Sequence, residues 1–167
     1  MNPVVAQTGS TLGLALALFG AGLALSLGGW GASIGVGMAG MAASGVITED
    51  PKKFGKMLLF VIIPGTQGFY SFVIFFMISF VKLNMFGTPI LPTVPQGLQL
   101  LFIGFCAGLV EWGSAIHQGK VAAAAIGIVA KRPEEAGKGF MLPAFVETYA
   151  VLGLVGTLLL VIPMKIG

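Results

Sequence analysis

Long apolar runs divide the sequence into four segments that are separated by short polar stretches. The runs cover roughly residues 11–48, 54–81, 97–130 and 139–163. Each run is long enough for an α-helix to cross about 30 Å of hydrocarbon at about 1.5 Å per residue. The pattern predicts an all-α membrane protein with four transmembrane helices. No Lys or Arg precedes Lys52, so we expect the first run to remain as a membrane helix and not to be a cleaved signal peptide.

The composition agrees with a membrane location. Hydrophobic residues make up 56% of the 167 residues and charged residues only 9%, and the mean hydropathy is +0.99. A soluble domain of this size could not keep such a surface in water. The net charge of +3 is too small to indicate binding to nucleic acid.

The positions of the charges predict how the chain is oriented in the membrane. Six of the nine basic residues lie in two short loops, at Lys52, Lys53, Lys56, Lys131, Arg132 and Lys138. By the positive-inside rule, these two hairpin loops are expected in the cytoplasm. Both termini and the connection at 82–97 are then expected on the outer side of the cell membrane.

The sequence also contains a tandem repeat with an offset of 82 residues. Gly31-Ala-Ser-Ile34 corresponds to Gly113-Ser-Ala-Ile116, and Pro51 corresponds to Pro133. Each half contains an even number of spans, so the halves lie parallel in the membrane, which argues against an alternating-access transporter. The predicted units are a first hairpin without an ionisable site, an outer connecting loop and a second hairpin, at 1–81, 82–97 and 98–167.

Small and bulky residues are sorted between the runs. The first and third runs are rich in Gly and Ala, whereas the second and fourth carry most of the Phe and Leu. Small residues one turn apart, such as Gly31 and Gly35, let helices approach closely in lipid, and we expect this stripe to serve oligomerisation. The sorting favours a ring with an inner layer of thin helices and an outer layer of thick ones. A single compact four-helix bundle is the alternative.

Polar side chains recur at one depth in three of the four runs. Thr66, Gln67, Gln118 and Glu147 each lie about 14 to 16 residues from the nearest basic hairpin turn. This distance corresponds to roughly 20 to 24 Å along a helix. Tyr70 lies close to one helical turn beyond Gln67 and therefore on the same helix face. We expect these side chains to converge inside the membrane.

This set of side chains predicts an ion site. A charge at such depth costs at least about 2.5 kcal/mol, so Glu147 indicates an ion or proton site and not an accident. Carboxylate, amide and hydroxyl oxygens suit a hard cation, and a bend at Pro64 or Pro143 could add a backbone carbonyl. Interhelical hydrogen bonding alone, worth about 0.6 kcal/mol each, is the alternative for Gln67 and Gln118.

Three motifs together resemble the membrane rotor subunit of bacterial V-type sodium ATPases, called subunit K or the proteolipid. They are Ile63-Pro-Gly-Thr66-Gln67-Gly-Phe-Tyr70, Ile116-His-Gln118-Gly-Lys-Val-Ala-Ala and Val146-Glu147-Thr-Tyr149-Ala. The resemblance covers nearly the whole chain. It implies a homo-oligomeric ring in the lipid membrane that carries Na⁺ past a static membrane subunit as the ring turns. It also implies that a central stalk subunit docks on the cytoplasmic hairpin loops.

The resemblance further implies which residues hold the ion. The implied Na⁺ ligands are Glu147, Gln118, Gln67, Thr66 and the backbone carbonyl of Ile63, and the hydroxyl of Tyr70 would steady the carboxylate. No Walker-type glycine loop is present, so the chain is expected to be a non-catalytic subunit and not the ATP hydrolase.

Three further polar residues have no place in the ion site that the resemblance implies. We expect Glu111 to face the outer interface, with a role in ion access as the alternative. We expect His117 to be a packing or ring-pore residue and Lys120 to extend toward the cytoplasmic side. Two other functions remain open at this point. One is the same ring carrying H⁺, which needs the carboxylate but not the other oxygen ligands. The second is a small four-helix exporter or channel that acts alone.

Overall fold

The computed structural model describes residues 9–166, and nearly all of them are helical. The five α-helices are α1 (Thr11–Glu49), α2 (Phe54–Ile62), α3 (Thr66–Phe76), α4 (Val94–Lys131) and α5 (Ala136–Val161). No β-strand occurs within this range. Residues 1–8 and 167 lie outside the described residues. The predicted units 1–81 and 98–167 include them, and both termini were expected on the outer side of the membrane.

Four helical segments are long and apolar enough to cross a membrane. They are Thr11–Glu49, Pro51–Lys82, Val94–Lys131 and Pro133–Val161. The second segment combines α2 and α3, which are joined by a 3₁₀ turn at Ile63–Gly65, and it ends in a π-helical turn at Met77–Lys82. The prediction of an all-α protein with four transmembrane helices is confirmed.

Polar capping residues fix where α1 and α4 begin. The helix α4 begins at Val94, where Thr93 and Gln96 form a capping box and Pro95 occupies the first turn. Ser10 caps α1 by accepting a hydrogen bond of 2.9 Å from the backbone N–H of Gly13. The apolar pattern alone placed the start of the third span near residue 97, because caps are polar and carry no apolar signal.

Glycines bring α1 and α4 into close backbone contact in the centre of the bundle. A Cβ atom at Gly31 would overlap the backbone of Trp112, and one at Gly119 would overlap the backbone of Gly35. A Cβ at Gly35 would likewise overlap the carbonyl oxygen of Ala115. The expectation that this stripe joins neighbouring subunits is therefore wrong for Gly31 and Gly35. They join the two halves of one chain, because the repeat places its first helices side by side.

Hydrogen bonds tie the two hairpins together at both ends of the bundle. At one end, the ammonium group of Lys53 donates to the carbonyl oxygen of Ala130 at 2.9 Å. At the other end, Lys82 donates to the carbonyl oxygen of Met164 at 2.9 Å. Both basic hairpin loops thus lie at the same end, as two parallel repeats require.

Candidate ion-binding site

The carboxylate of Glu147 lies in the middle of α5 and is half-buried at the edge of the bundle. Pro143 stands one turn earlier, yet α5 runs unbroken from Ala136 to Val161. The side chain of Glu147 extends toward α3 and α4, where the predicted polar residues meet it. The site is therefore assembled from three of the four membrane spans.

Four neutral donors hold the Glu147 carboxylate. Its Oε2 atom accepts hydrogen bonds from the hydroxyl of Thr66 at 2.8 Å, from Nε2 of Gln118 at 2.7 Å and from Nε2 of Gln67 at 3.4 Å. Its Oε1 atom accepts from the hydroxyl of Tyr70 at 2.6 Å. The ion pairs within residues 9–166 do not involve Glu147. Neutral donors replace lost water but leave the negative charge to be balanced, which favours a bound cation or proton.

The two glutamine amides form the fully buried back of the site. Nε2 of Gln67 donates to Oε1 of Gln118 at 2.7 Å, and Nε2 of Gln118 also donates to the carbonyl oxygen of Pro143 at 3.0 Å. Both side chains are 0% exposed. Buried networks of this kind fix side-chain orientation when each polar atom has a partner. The amides therefore bond to each other and to the carboxylate and do more than link two helices.

The break in the second span supplies a backbone carbonyl to the site. Pro64 lies in the 3₁₀ turn between α2 and α3, and the carbonyl oxygen of Ile63 accepts a hydrogen bond of 2.8 Å from the Thr66 hydroxyl. Oε1 of Gln67 lies 3.3 Å from the same hydroxyl. Oxygen atoms of Ile63, Gln67 and Glu147 thus surround the Oγ1 atom of Thr66. The structure brings all six predicted site residues into one network.

Ser114 is a further member of the network that the sequence analysis missed. Its hydroxyl accepts a hydrogen bond of 3.3 Å from Nε2 of Gln67 and donates at 3.4 Å to the carbonyl oxygen of Val146. The available signal was its spacing, since Ser114 lies one helical turn before Gln118 on the same face. A serine among many small residues on α4 did not stand out.

The three polar residues outside the implied ion site have different surroundings. His117 and Lys120 are exposed on the surface of the chain and lie outside the hydrogen-bond network. Glu111 is 0% exposed, so the expectation that it faces the outer interface is wrong. Gly153 on α5 leaves room for its carboxyl, because a Cβ atom there would lie 3.2 Å from Oε1 of Glu111.

The first half of the chain has no equivalent of Glu147. Aligning Tyr70 with Tyr149 places Gly68 at the corresponding position. A Cβ atom at Gly68 would lie 3.2 Å from the Cβ of Ala32 on α1, which is a tight contact. The close approach of α3 to α1 therefore favours glycine there.

Comparisons with known proteins agree with the repeat and with the motifs. The family model for the C subunit of ATP synthase matches residues 19–78 and again residues 101–160, with the same offset of 82 residues. The chain is 43% identical over 162 residues to the V-type sodium ATPase subunit K of Enterococcus hirae, covering 97% of this chain and 98% of that protein. It is 38% identical over 125 residues to the A-type ATP synthase subunit K of Methanocaldococcus jannaschii, covering 75% of this chain and 52% of that protein.

Proposed function

The chain belongs to the family of the ATP synthase C subunit, and on this premise we propose that it binds one Na⁺ at Glu147 and carries it across the membrane as the ring turns. The protein is a multi-pass membrane subunit of the ring of a rotary ATPase, involved in ion transport, and it is not itself catalytic. The proposal concerns the ion, the residues that hold it and the orientation of the subunit.

One observation carries the choice of ion. Oxygen atoms of Ile63, Gln67 and Glu147 surround the hydroxyl oxygen of Thr66, all within 3.3 Å of it. Several convergent oxygens are what a dehydrated hard cation needs, whereas a proton on a carboxyl needs only one acceptor. The amide of Gln118 completes the set from α4. The name of the relative from Enterococcus hirae, a sodium ATPase, supports the same choice.

The charge of the site explains how such a ring can turn in lipid. A bound Na⁺ neutralises Glu147, so the filled site can face hydrocarbon at low cost. An empty carboxylate would cost at least about 2.5 kcal/mol there, so an empty site is disfavoured wherever the static membrane subunit does not cover it. Glu147 is half-buried at the bundle edge, while Gln67 and Gln118 are fully buried behind it. The carboxylate is therefore the ligand that can open outward to release the ion.

The proposal also places the subunit in its complex. The basic hairpin loops, which the Lys53 bond to Ala130 holds at one end of the bundle, lie in the cytoplasm and receive the central stalk subunit. The termini and the connection at 82–97 lie on the outer side. The static membrane subunit lies against the bundle edge at the depth of Glu147. The predicted hairpin units 1–81 and 98–167 then act as the structural half and the ion-carrying half.

A carbodiimide assay tests the ion. Dicyclohexylcarbodiimide reacts with the protonated carboxyl, so labelling of Glu147 in isolated rings is expected to fall as millimolar Na⁺ is added at fixed pH. The double variant Gln67→Ala/Gln118→Ala is expected to need about 30-fold more Na⁺ or more for the same protection, because two polar contacts to the site are lost. Peptide mapping by mass spectrometry identifies the labelled residue. If Na⁺ gives no protection at any pH where labelling occurs, the ring carries H⁺.

A second prediction concerns the hydroxyl of Tyr70. It donates to Oε1 of Glu147 at 2.6 Å and so holds the carboxylate with Oε2 turned toward Thr66 and Gln118. Tyr70→Phe removes this hydrogen bond and loosens the carboxylate, and about tenfold more Na⁺ should be required for protection, which corresponds to about 1.4 kcal/mol. Tyr149→Phe is the matched control, because Tyr149 is 67% exposed and outside the network. Equal Na⁺ protection in the two variants would contradict a role for Tyr70.

A further inference from the structure

A second carboxyl lies inside the bundle and takes no part in the network around Glu147. Glu111 is 0% exposed, and neither of its carboxyl oxygens has a hydrogen-bond partner within the described residues. It lies seven residues before Gln118 on α4, or about 10 Å along the helix axis toward the end opposite the basic loops. A buried carboxyl without a partner is costly, so its presence requires an explanation.

Residues from all four membrane spans enclose this carboxyl. Ser71 on α3 is fully buried, and its hydroxyl has no partner within the described range. A Cβ atom at Gly28 on α1 would overlap the Ser71 hydroxyl and lie 3.1 Å from the Cβ of Glu111. One at Gly153 on α5 would lie 3.2 Å from Oε1 of Glu111. Glycines on two helices thus make room for one carboxyl and one hydroxyl in apolar surroundings.

No positive charge faces Glu111 within the described residues. The titratable group that acts on it from a neighbouring span is Glu147 on α5, and Glu111 in turn acts on the phenol of Tyr70 on α3. The described part of α1 contains no ionisable side chain before Glu49, at its far end. An unpartnered carboxylate is far more costly to bury than the neutral acid, and a second negative charge near Glu147 would add repulsion.

We propose that Glu111 is a second proton-binding site of each subunit, a neutral carboxylic acid that keeps its proton whether Glu147 holds Na⁺ or is empty. One carboxyl and one hydroxyl offer too few oxygens for a metal cation, so the ligand is the proton. Because Glu111 keeps its proton, Glu147 is the carboxyl group of the bundle whose charge changes when Na⁺ binds or leaves. The assignment of the proton rests on the surroundings of Glu111 alone, whereas its part in the Na⁺ cycle rests on the proposed function.

Infrared spectroscopy of purified rings tests the assignment. Of the six acidic side chains, four lie at the hairpin loops outside the apolar spans, where burial does not disfavour a carboxylate, at Glu49, Asp50, Glu134 and Glu135. With saturating Na⁺, Glu147 is also a carboxylate. The C=O stretch of a protonated carboxyl, recognised by its shift in D₂O, is therefore expected from Glu111 alone. It should disappear in Glu111→Gln and persist in Glu147→Gln.

The outcomes separate this proposal from the proposed function. A protonated-carboxyl band that is absent from wild-type rings, or a wild-type spectrum that Glu111→Gln leaves unchanged, overturns the assignment. A second band that Na⁺ does not remove but Glu147→Gln does would refute Na⁺ binding and leave Glu111 assigned. Only rings that migrate as wild type on native gels are compared. If the Gln variant does not assemble, Glu111→Asp replaces it, with a band shifted in frequency as the supporting result and an unchanged band as the contrary one.

A binding measurement provides an independent readout. Gln is neutral, as the protonated acid is, so Glu111→Gln rings are expected to bind Na⁺ within about threefold of the wild-type affinity. An ionised Glu111 would attract the cation, and its removal would weaken Na⁺ binding by about tenfold or more. That loss would overturn the proposal.

Discussion

Glu147→Gln is expected to abolish both Na⁺ transport and the ATPase activity that is coupled to rotation of the ring. The substitution keeps the size of the side chain, but it replaces one of the two oxygens that accept from Thr66 and Tyr70 with an NH₂ group, and it removes the charge that a cation must neutralise. A neutral amide cannot bind Na⁺ strongly and has no charge for the ion to neutralise, so no ion moves with the turning ring. Transport of radioactive Na⁺ into reconstituted vesicles and ATP hydrolysis by the whole complex measure the two effects.

Glu111→Gln is the matched control for this experiment. It makes the same chemical change in a carboxyl of the same bundle, and we expect most of the transport activity to remain. Ring assembly is checked for both variants, so that a loss of transport is not confused with a loss of rings. Transport that survives Glu147→Gln and is lost in Glu111→Gln would show that the transported charge lies at Glu111.

Gly35→Leu is expected to prevent formation of a stable subunit. A side chain there would overlap the carbonyl oxygen of Ala115 and lie within 2.9 Å of Pro64. Backbone and a proline ring are both rigid, so neither neighbour can move aside. Separating α1 from α4 would expose the packed centre of the bundle, at a cost at or above the upper end of the usual overpacking range of about 1 to 3 kcal/mol. The yield and thermal stability of detergent-purified protein measure the effect.

Gly37→Leu serves as the comparison on the same helix. Gly37 is exposed on α1, and no atom outside the local helix lies within 4 Å of its Cβ position. The folded subunit should therefore tolerate Leu at this position. Stable Gly35→Leu protein with wild-type yield would contradict the close contact of α1 with α4.

The membrane spans and the polar network could be predicted because both depend on distances along single helices. Span length follows from the apolar runs, and the depth of Glu147, Gln118 and Thr66 follows from counting residues from the hairpin turns. These counts are insensitive to how each helix is rotated. The resemblance added which groups would hold the ion, and the network of the six residues is consistent with it.

Features that depend on how one helix faces another could not be predicted in this way. Whether Glu111 faces outward or inward depends on the rotation of α4 and on room left by Gly28 and Gly153, which lie far away in sequence. The role of Gly31 is a similar case, because a small-residue stripe indicates close contact but not which helix makes it. Residue counting also left open which backbone carbonyl reaches the site; the resemblance implied that of Ile63, which lies in the 3₁₀ turn beside Thr66.

The glycine at position 68 lowers the number of ions that the proposed ring moves per revolution. Because Gly68 stands where the second half has Glu147, a chain of four spans carries one ion where two intact copies of the site would carry two. The free energy of ATP hydrolysis per revolution is fixed. If half as many ions are moved per revolution, the free energy available to transport each ion is therefore doubled. Such a ring moves fewer Na⁺ ions per revolution, but it can move them against a steeper electrochemical gradient.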